Sequence, residues 1–177
     1  MILSNNAFTF FKKFKPETIK RINIAWIDTK EELIDIILKS EHKIFFDYPY
    51  GRTKLPKPTF DVVEAINIAN SLKDSLWCFA ISNAEDEIFL KTIRSLLDKE
   101  IKMIPKIESP LGIEKLKEIM TACSTDTLML DKEDLSTKAD NNQEVLTGYL
   151  NDLKKKAKKN KYKILGLQGV IFDYIKI

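Results

Sequence analysis

Only five glycines and six prolines occur among the 177 residues, which excludes a collagen-like repeat or a low-complexity disordered chain. No apolar run approaches the roughly 18 residues that a bilayer-spanning helix needs. The two cysteines, Cys78 and Cys123, have neither metal-ligand spacing nor a disulfide framework around them. A single histidine, His42, rules out a multi-histidine metal site. Arginine is scarce at three, Arg21, Arg52 and Arg94, and no glycine-rich cradle for phosphate is present. An excess of one charge is also lacking: 29 basic and 26 acidic residues leave +3, far from the concentrated positive field of a dedicated nucleic-acid binder. The expectations are therefore no nucleic acid, no membrane and a reducing cytoplasm.

What the chain does have is 44% hydrophobic residues in a length that suits one core, so residues 1–177 read as a single domain. Residues 1–20 are expected to cap one end of it. Within Met1 to Phe14, positive charge follows the apolar residues, opposite to a signal peptide, and no small-residue cleavage site appears. Phe8, Phe10, Phe11 and Phe14 beside Lys12, Lys13 and Lys15 allow a short surface helix on a membrane, but they fit better as closure of the core.

Short β-rich runs alternate with segments of helical period, the pattern of parallel strands joined by crossover helices. The predicted strands are 22–26, 43–48, 76–81, 102–107, 127–131 and 163–167, and the predicted helices 30–40, 60–72, 85–97, 111–121 and 143–159. Thr29 before two early glutamates, and Ser109 before Pro110, read as helix starts. Trp26 and Trp77 are expected in the core. Cys78 reads as a buried small hydrophobe. The lysine-rich run from Lys154 to Lys163 reads as a solvated helix end whose charge suits the helix dipole.

Chemistry concentrates in MIPKIE, Met103 to Glu108. Lys106 and Glu108 are two apart, so on a strand an ammonium and a carboxylate share one face. The run Leu128 to Leu135 (LMLDKEDL) ends in acids, which places Glu133 and Asp134 just past the C-terminal end of the next strand. Adjacent strands lie about 4.8 Å apart, so the Glu108 and Asp134 carboxylates can converge. Two such carboxylates suit Mg²⁺ or Mn²⁺. A 2-oxo acid could be chelated there while the lysine stabilises enolate charge or moves a proton. An ordinary pairing of Lys106 and Glu108 inside a covered sheet fits the spacing equally well. In the loop Pro49 to Pro58, Arg52 is the best candidate for binding an anion, although a surface role is the simpler reading.

The stretch Cys78 to Ile119, with Ser-Asn-Ala-Glu-Asp at a helix start followed by Lys-Ile-Glu and a glycine-containing helix, resembles the barrel core of pyruvate kinases. The resemblance continues through Thr127 to Leu135, more weakly through Lys161 to Gln168, and in an echo at Phe45 to Leu55. It implies a (β/α) barrel of the phosphoenolpyruvate/pyruvate superfamily, with Lys106 serving phosphoryl transfer and enolate stabilisation and with Glu108 and Asp134 as divalent-metal ligands. The backbone at Glu133, which replaces the family glycine, would meet a substrate carboxylate. Leu167 stands in place of a threonine. The same wording is similar to the citrate lyase β and HpcH/HpaI aldolase branch, which makes or breaks carbon–carbon bonds beside an oxo acid. A third possibility is a degenerate barrel that serves as a binding or scaffold module.

A complete barrel of this kind takes about 250 residues. Six strands, or seven with 171–177, predict a truncated, open α/β barrel of TIM type. Its bare edges would call for a partner subunit or a homo-oligomer.

Overall fold

The computed structural model describes residues 1–4, 14–168 and 171–175. Eight strands, β1 (Ile2–Ser4), β2 (Ile19–Asn23), β3 (Ile44–Tyr48), β4 (Leu76–Ile81), β5 (Met103–Ile107), β6 (Thr127–Leu130), β7 (Lys163–Gln168) and β8 (Ile171–Ile175), follow one another around the sheet in chain order. The first seven pair in parallel. Seven α-helices are described: α1 (Lys30–Leu38), α2 (Val62–Ser71), α3 (Glu87–Leu96), α4 (Pro110–Glu114), α5 (Leu116–Ala122), α6 (Lys132–Lys138) and α7 (Gln143–Asn160). This is the expected TIM-like α/β barrel, although its seventh parallel strand is β1, which is not among the predicted strands, and not 171–177.

The expected opening is where the structure differs. β8 runs antiparallel to both β7 and β1 and closes the ring. The seam is narrow, with Ile2 opposite Phe172 and Leu3 opposite Ile171. An antiparallel neighbour needs no crossover helix, and β8 follows β7 after two positions of sequence. Every described strand therefore has two neighbours, and no bare edge calls for a covering partner. The predicted cap at Phe8, Phe10, Phe11, Lys12 and Lys13 lies outside the described residues.

Alternation along each strand divides the core into two parts. Ile2, Phe45, Cys78, Ala80, Ile104, Met129 and Leu165 face inward and plug the ring. Their neighbours in sequence, such as Ile44, Phe46, Phe79, Met103 and Leu128, face outward and pack under the helices. Strands covered on both faces read as near-continuous apolar runs, as Ile44–Tyr48 does apart from Asp47. Burying a phenylalanine such as Phe45 stabilises the fold by about 1.5–3 kcal/mol.

Helix starts are fixed by side-chain caps. The Thr29 side chain accepts from Glu32 N–H at 3.1 Å. Asp61 and Glu64 form a reciprocal capping box at α2. Ser109 accepts from Gly112 N–H at 3.1 Å, with Pro110 in the first turn. The C-terminal end of α7 stops at Lys161 in the left-handed region (φ 59°). Its last turn carries Lys158 and Lys159, where their charge suits the dipole.

Trp26 departs from expectation and is 65% exposed. β2 ends at Asn23, whose side chain caps a 3₁₀ turn over Ile24–Trp26, so the strand alternation is lost there and Ile24 and Ala25 take the buried positions. Trp77 is partly buried and stacks on Phe45, with ring centroids 5.9 Å apart.

Candidate active site

The inward parity that builds the apolar plug continues toward the C-terminal ends of the strands, and there it delivers charge. Two positions beyond Ile19, Phe45, Ala80, Ile104 and Met129 stand Arg21, Asp47, Ser82, Lys106 and Asp131. Two positions beyond Lys106, just past the end of β5, stands Glu108. Each residue reaches the middle of the ring because a strand side chain two positions on faces the same way.

Asp47 is wholly buried. Its Oδ2 accepts Arg21 Nε at 2.8 Å, and a second guanidinium nitrogen reaches the same oxygen. Its Oδ1 lies 3.5 Å from Lys106 Nζ. The Lys106 ammonium donates to Ser82 Oγ at 2.8 Å and sits 3.0 Å from Glu108 Oε1. Glu108 Oε2 accepts the Asn83 backbone N–H at 2.9 Å. Asn83 is in the left-handed region (φ 50°), which asparagine tolerates. Its side-chain amide donates to the Tyr50 carbonyl at 2.6 Å.

Burial pushes the Asp47 carboxyl up, but Arg21 and Lys106 together outweigh it and hold the group below the usual carboxylate range. For Lys106, burial acts downward and is outweighed by Asp47 and then Glu108, so its pKa is raised. Glu108 has the opposite balance. Burial pushes it up, and the Lys106 ammonium and the Asn83 amide offset only part of that. Glu108 is thus the acid in the group with the least compensation.

The strand register explains its neighbour. Ile107 pairs with Leu130, so one step further Glu108 and Asp131 stand side by side past the strand ends. Asp131 caps α6, its Oδ1 accepting from Glu133 N–H at 3.1 Å and Asp134 N–H at 3.3 Å. That turn brings Asp134 back toward the ring. One oxygen each from Glu108, Asp131 and Asp134 lie within 4.8 Å of one another. Glu108 Oε1 is buried and pairs with the Lys106 ammonium. Three carboxylates gathered at one end of the ring form an all-oxygen donor set, which fits a hard divalent cation such as Mg²⁺ or Mn²⁺.

A cavity of about 460 Å³ opens above these groups, and Arg52, Lys106, Glu108, Glu133 and Asp134, the five residues singled out from sequence, all line it. Their local roles differ from expectation at two positions. Arg52 is tied to its own loop, its Nε donating to the Pro56 carbonyl at 2.8 Å and a terminal nitrogen to that of Leu55 at 3.4 Å. The Glu133 amide is engaged in capping α6, and so is taken up before any substrate carboxylate arrives. Sequence reasoning missed Arg21, Asp47, Ser82, Asn83 and Asp131. Parity carried a signal for four of them. Asn83, in a positive-φ turn, had none.

Fold and site together define a parallel-stranded (β/α) barrel whose polar cavity lies at the C-terminal strand ends, the usual position of active sites in this architecture. The crystal structure of citrate synthase SbnG has this fold: it matches with a TM-score of 0.52 at 11% identity, over 87% of this chain and 79% of that one. At that identity the likeness establishes the fold. By sequence, the chain matches no known family and no curated protein. No helix among the described residues is long and apolar enough to cross a membrane.

Proposed function

We propose that the chain is a divalent-ion-dependent lyase or synthase that breaks or forms a carbon–carbon bond next to a 2-oxo acid, as the citrate lyase β and HpcH/HpaI resemblance implies. The observation that carries this reading is the buried Lys106–Glu108 pair, 3.0 Å apart, standing beside Asp131 and Asp134 at the floor of one cavity. Glu108, Asp131 and Asp134 would hold Mg²⁺ or Mn²⁺, which supplies Lewis-acid polarisation of a substrate carbonyl.

The chain's own groups supply the rest. Cleavage of a 4-hydroxy-2-oxo acid breaks the bond between C3 and C4, and the electron pair stays on the oxo-acid fragment as its enolate. The hydroxyl proton is released and the other fragment leaves as a carbonyl compound. Protonation at C3 then yields the 2-oxo acid. Lys106, fixed by Ser82, Asp47 and Glu108, presents a positive charge where negative charge grows on the fragment's oxygen. Arg21, pinned by Asp47, lines the same cavity, and its planar fork suits a carboxylate.

Phosphoryl transfer of the pyruvate kinase type has less support, because Gly51 is the sole glycine among the cavity lining residues and no glycine-rich phosphate cradle occurs among the described residues. The name of the structural neighbour, a citrate synthase, also favours carbon–carbon chemistry. Association of copies of the chain stays a separate proposal, for which sedimentation is the direct measurement.

Titration calorimetry with Mn²⁺, with and without oxalate, tests the ion site: binding to the wild type and its loss in Glu108→Gln are expected. Incubation with a panel of 4-hydroxy-2-oxo acids should then release product in a Lys106-dependent manner. Unchanged turnover in Lys106→Ala would remove that side chain from the chemistry.

A further inference from the structure

Ile81 pairs with Pro105, so the next position on each chain segment sets Ser82 beside Lys106. The Ser82 backbone N–H donates to the Tyr48 carbonyl at 3.1 Å, which fixes it between two strand ends. Ser82 is buried, yet it belongs to the lining of the cavity. Its Oγ accepts from the Lys106 ammonium at 2.8 Å. A lysine offers donors only, so this contact uses the oxygen of the hydroxyl and leaves its hydrogen over. That hydrogen meets no acceptor among the described residues. Lys106 is in the opposite position. For its three N–H hydrogens it already has three protein oxygens within reach, Ser82 Oγ, Glu108 Oε1 at 3.0 Å and Asp47 Oδ1 at 3.5 Å, so none is in surplus for a substrate.

We propose that Ser82 is a catalytic residue of this site, the donor through which the buried charge of Lys106 reaches the substrate: its hydroxyl hydrogen-bonds the oxygen on which enolate charge gathers. The inference rests on the carbon–carbon lyase reading above and adds a group to it. Donation by an ammonium polarises the hydroxyl it meets, so the Ser82 hydrogen is a stronger donor than that of an isolated serine. No bond to hydrogen breaks in this step: Ser82 remains a hydroxyl and Lys106 an ammonium. The contact strengthens as the carbonyl oxygen becomes an enolate oxygen, and it is already in place before the reaction, because both side chains are buried and paired.

Oxalate, a stable dianion with the shape of the enolate of pyruvate, is the probe, and its calorimetric affinity in the presence of Mn²⁺ is the first readout. Ser82→Ala should bind oxalate about tenfold more weakly than the wild type or worse, the loss expected for a hydrogen bond to a charged acceptor. Ser82→Thr keeps the hydroxyl and should stay close to the wild type. The affinity for Mn²⁺ alone should be the same in all three proteins, since Ser82 is not among the three carboxylates. On any 4-hydroxy-2-oxo acid that the wild type cleaves, Ser82→Ala should lose about a hundredfold in kcat with little change in KM. Unchanged oxalate affinity in Ser82→Ala would overturn the proposal, and so would an equal loss in Ser82→Thr. A fall in Mn²⁺ affinity as large as the fall in oxalate affinity would also overturn it, because Ser82 would then act only as a support for Lys106 and Glu108. A wild type that binds oxalate and cleaves no member of the panel would overturn the lyase reading while Ser82→Ala still decides the anion contact. A wild type that does not bind oxalate would overturn both.

Discussion

The two ends of the barrel use charge in opposite ways. At the C-terminal end, Arg21, Asp47, Lys106 and Glu108 are drawn inside the ring, with side chains between 0% and 14% exposed. At the N-terminal end, Lys163 and Lys102 meet Asp126 at 2.7 and 3.6 Å, and Lys73 meets Asp98 and Glu100 at 3.0 and 2.6 Å, all of them facing solvent to a substantial degree. Exposed pairs tie neighbouring segments together and gain little, because water competes for each partner. Buried charges carry a desolvation penalty that only mutual pairing offsets. Among the described residues the fold accepts this penalty at one end only, which concentrates its electric field there, the arrangement that stabilising a reacting oxygen requires.

The largest effect that would break this contrast comes from Asp47. Asp47→Ala leaves Arg21 and Lys106 as buried cations without their shared counter-charge, and should destabilise the fold by about 3–5 kcal/mol in urea unfolding. A loss no greater than that of a surface variant would mean that the buried group is not held together as described. Next in size, Glu108→Gln should weaken Mn²⁺ binding by about tenfold or more. It should also abolish any rise in melting temperature that Mn²⁺ gives the wild type. Equal thermal shifts in the two proteins would move the ion elsewhere. At the opposite end, Lys163→Ala should shift the urea midpoint by only a small fraction of the Asp47→Ala change, and by still less in high salt.

The smallest effect is one of pH. Lys163, then the Thr127 hydroxyl, hold the Asp126 carboxyl down to about 2 from its ordinary 3.8. A folded value below the unfolded one gives stability that is present above about 3.8 and is lost as pH falls through about 2. Asp126→Asn should therefore lose less stability than the wild type between those two values, by a margin reduced by solvent screening. Parallel pH curves for the two proteins would remove the pair from the stability balance.

Much of this arrangement was legible in the sequence because it follows from period. The alternation of apolar residues in Leu76–Ile81 and Met103–Ile107 marked strands, and the same alternation put Lys106 and Glu108 on one face. Convergence of Glu108 with Asp134 followed from parallel neighbours. Other parts were hidden for identifiable reasons. Ile2–Ser4 is too short to show a period. The antiparallel β8 depends on a partner across the ring, which local pattern does not encode. Asp47 sits within a wholly buried run, where an acid looks anomalous until Arg21 is known to meet it. The acids after Leu130 read as a strand-end cluster, yet Asp131 followed by Glu133 and Asp134 is also a helix start, and reading it so would have added Asp131 to the site.

The reversed direction of β8 has a practical consequence. Because this strand runs away from the cavity, a reporter or surface tether attached at Ile175 stands on the side opposite the reactive groups. Immobilisation through that end should leave small molecules free to diffuse in, whereas attachment through the Pro49 to Pro58 loop would place the linker across the mouth.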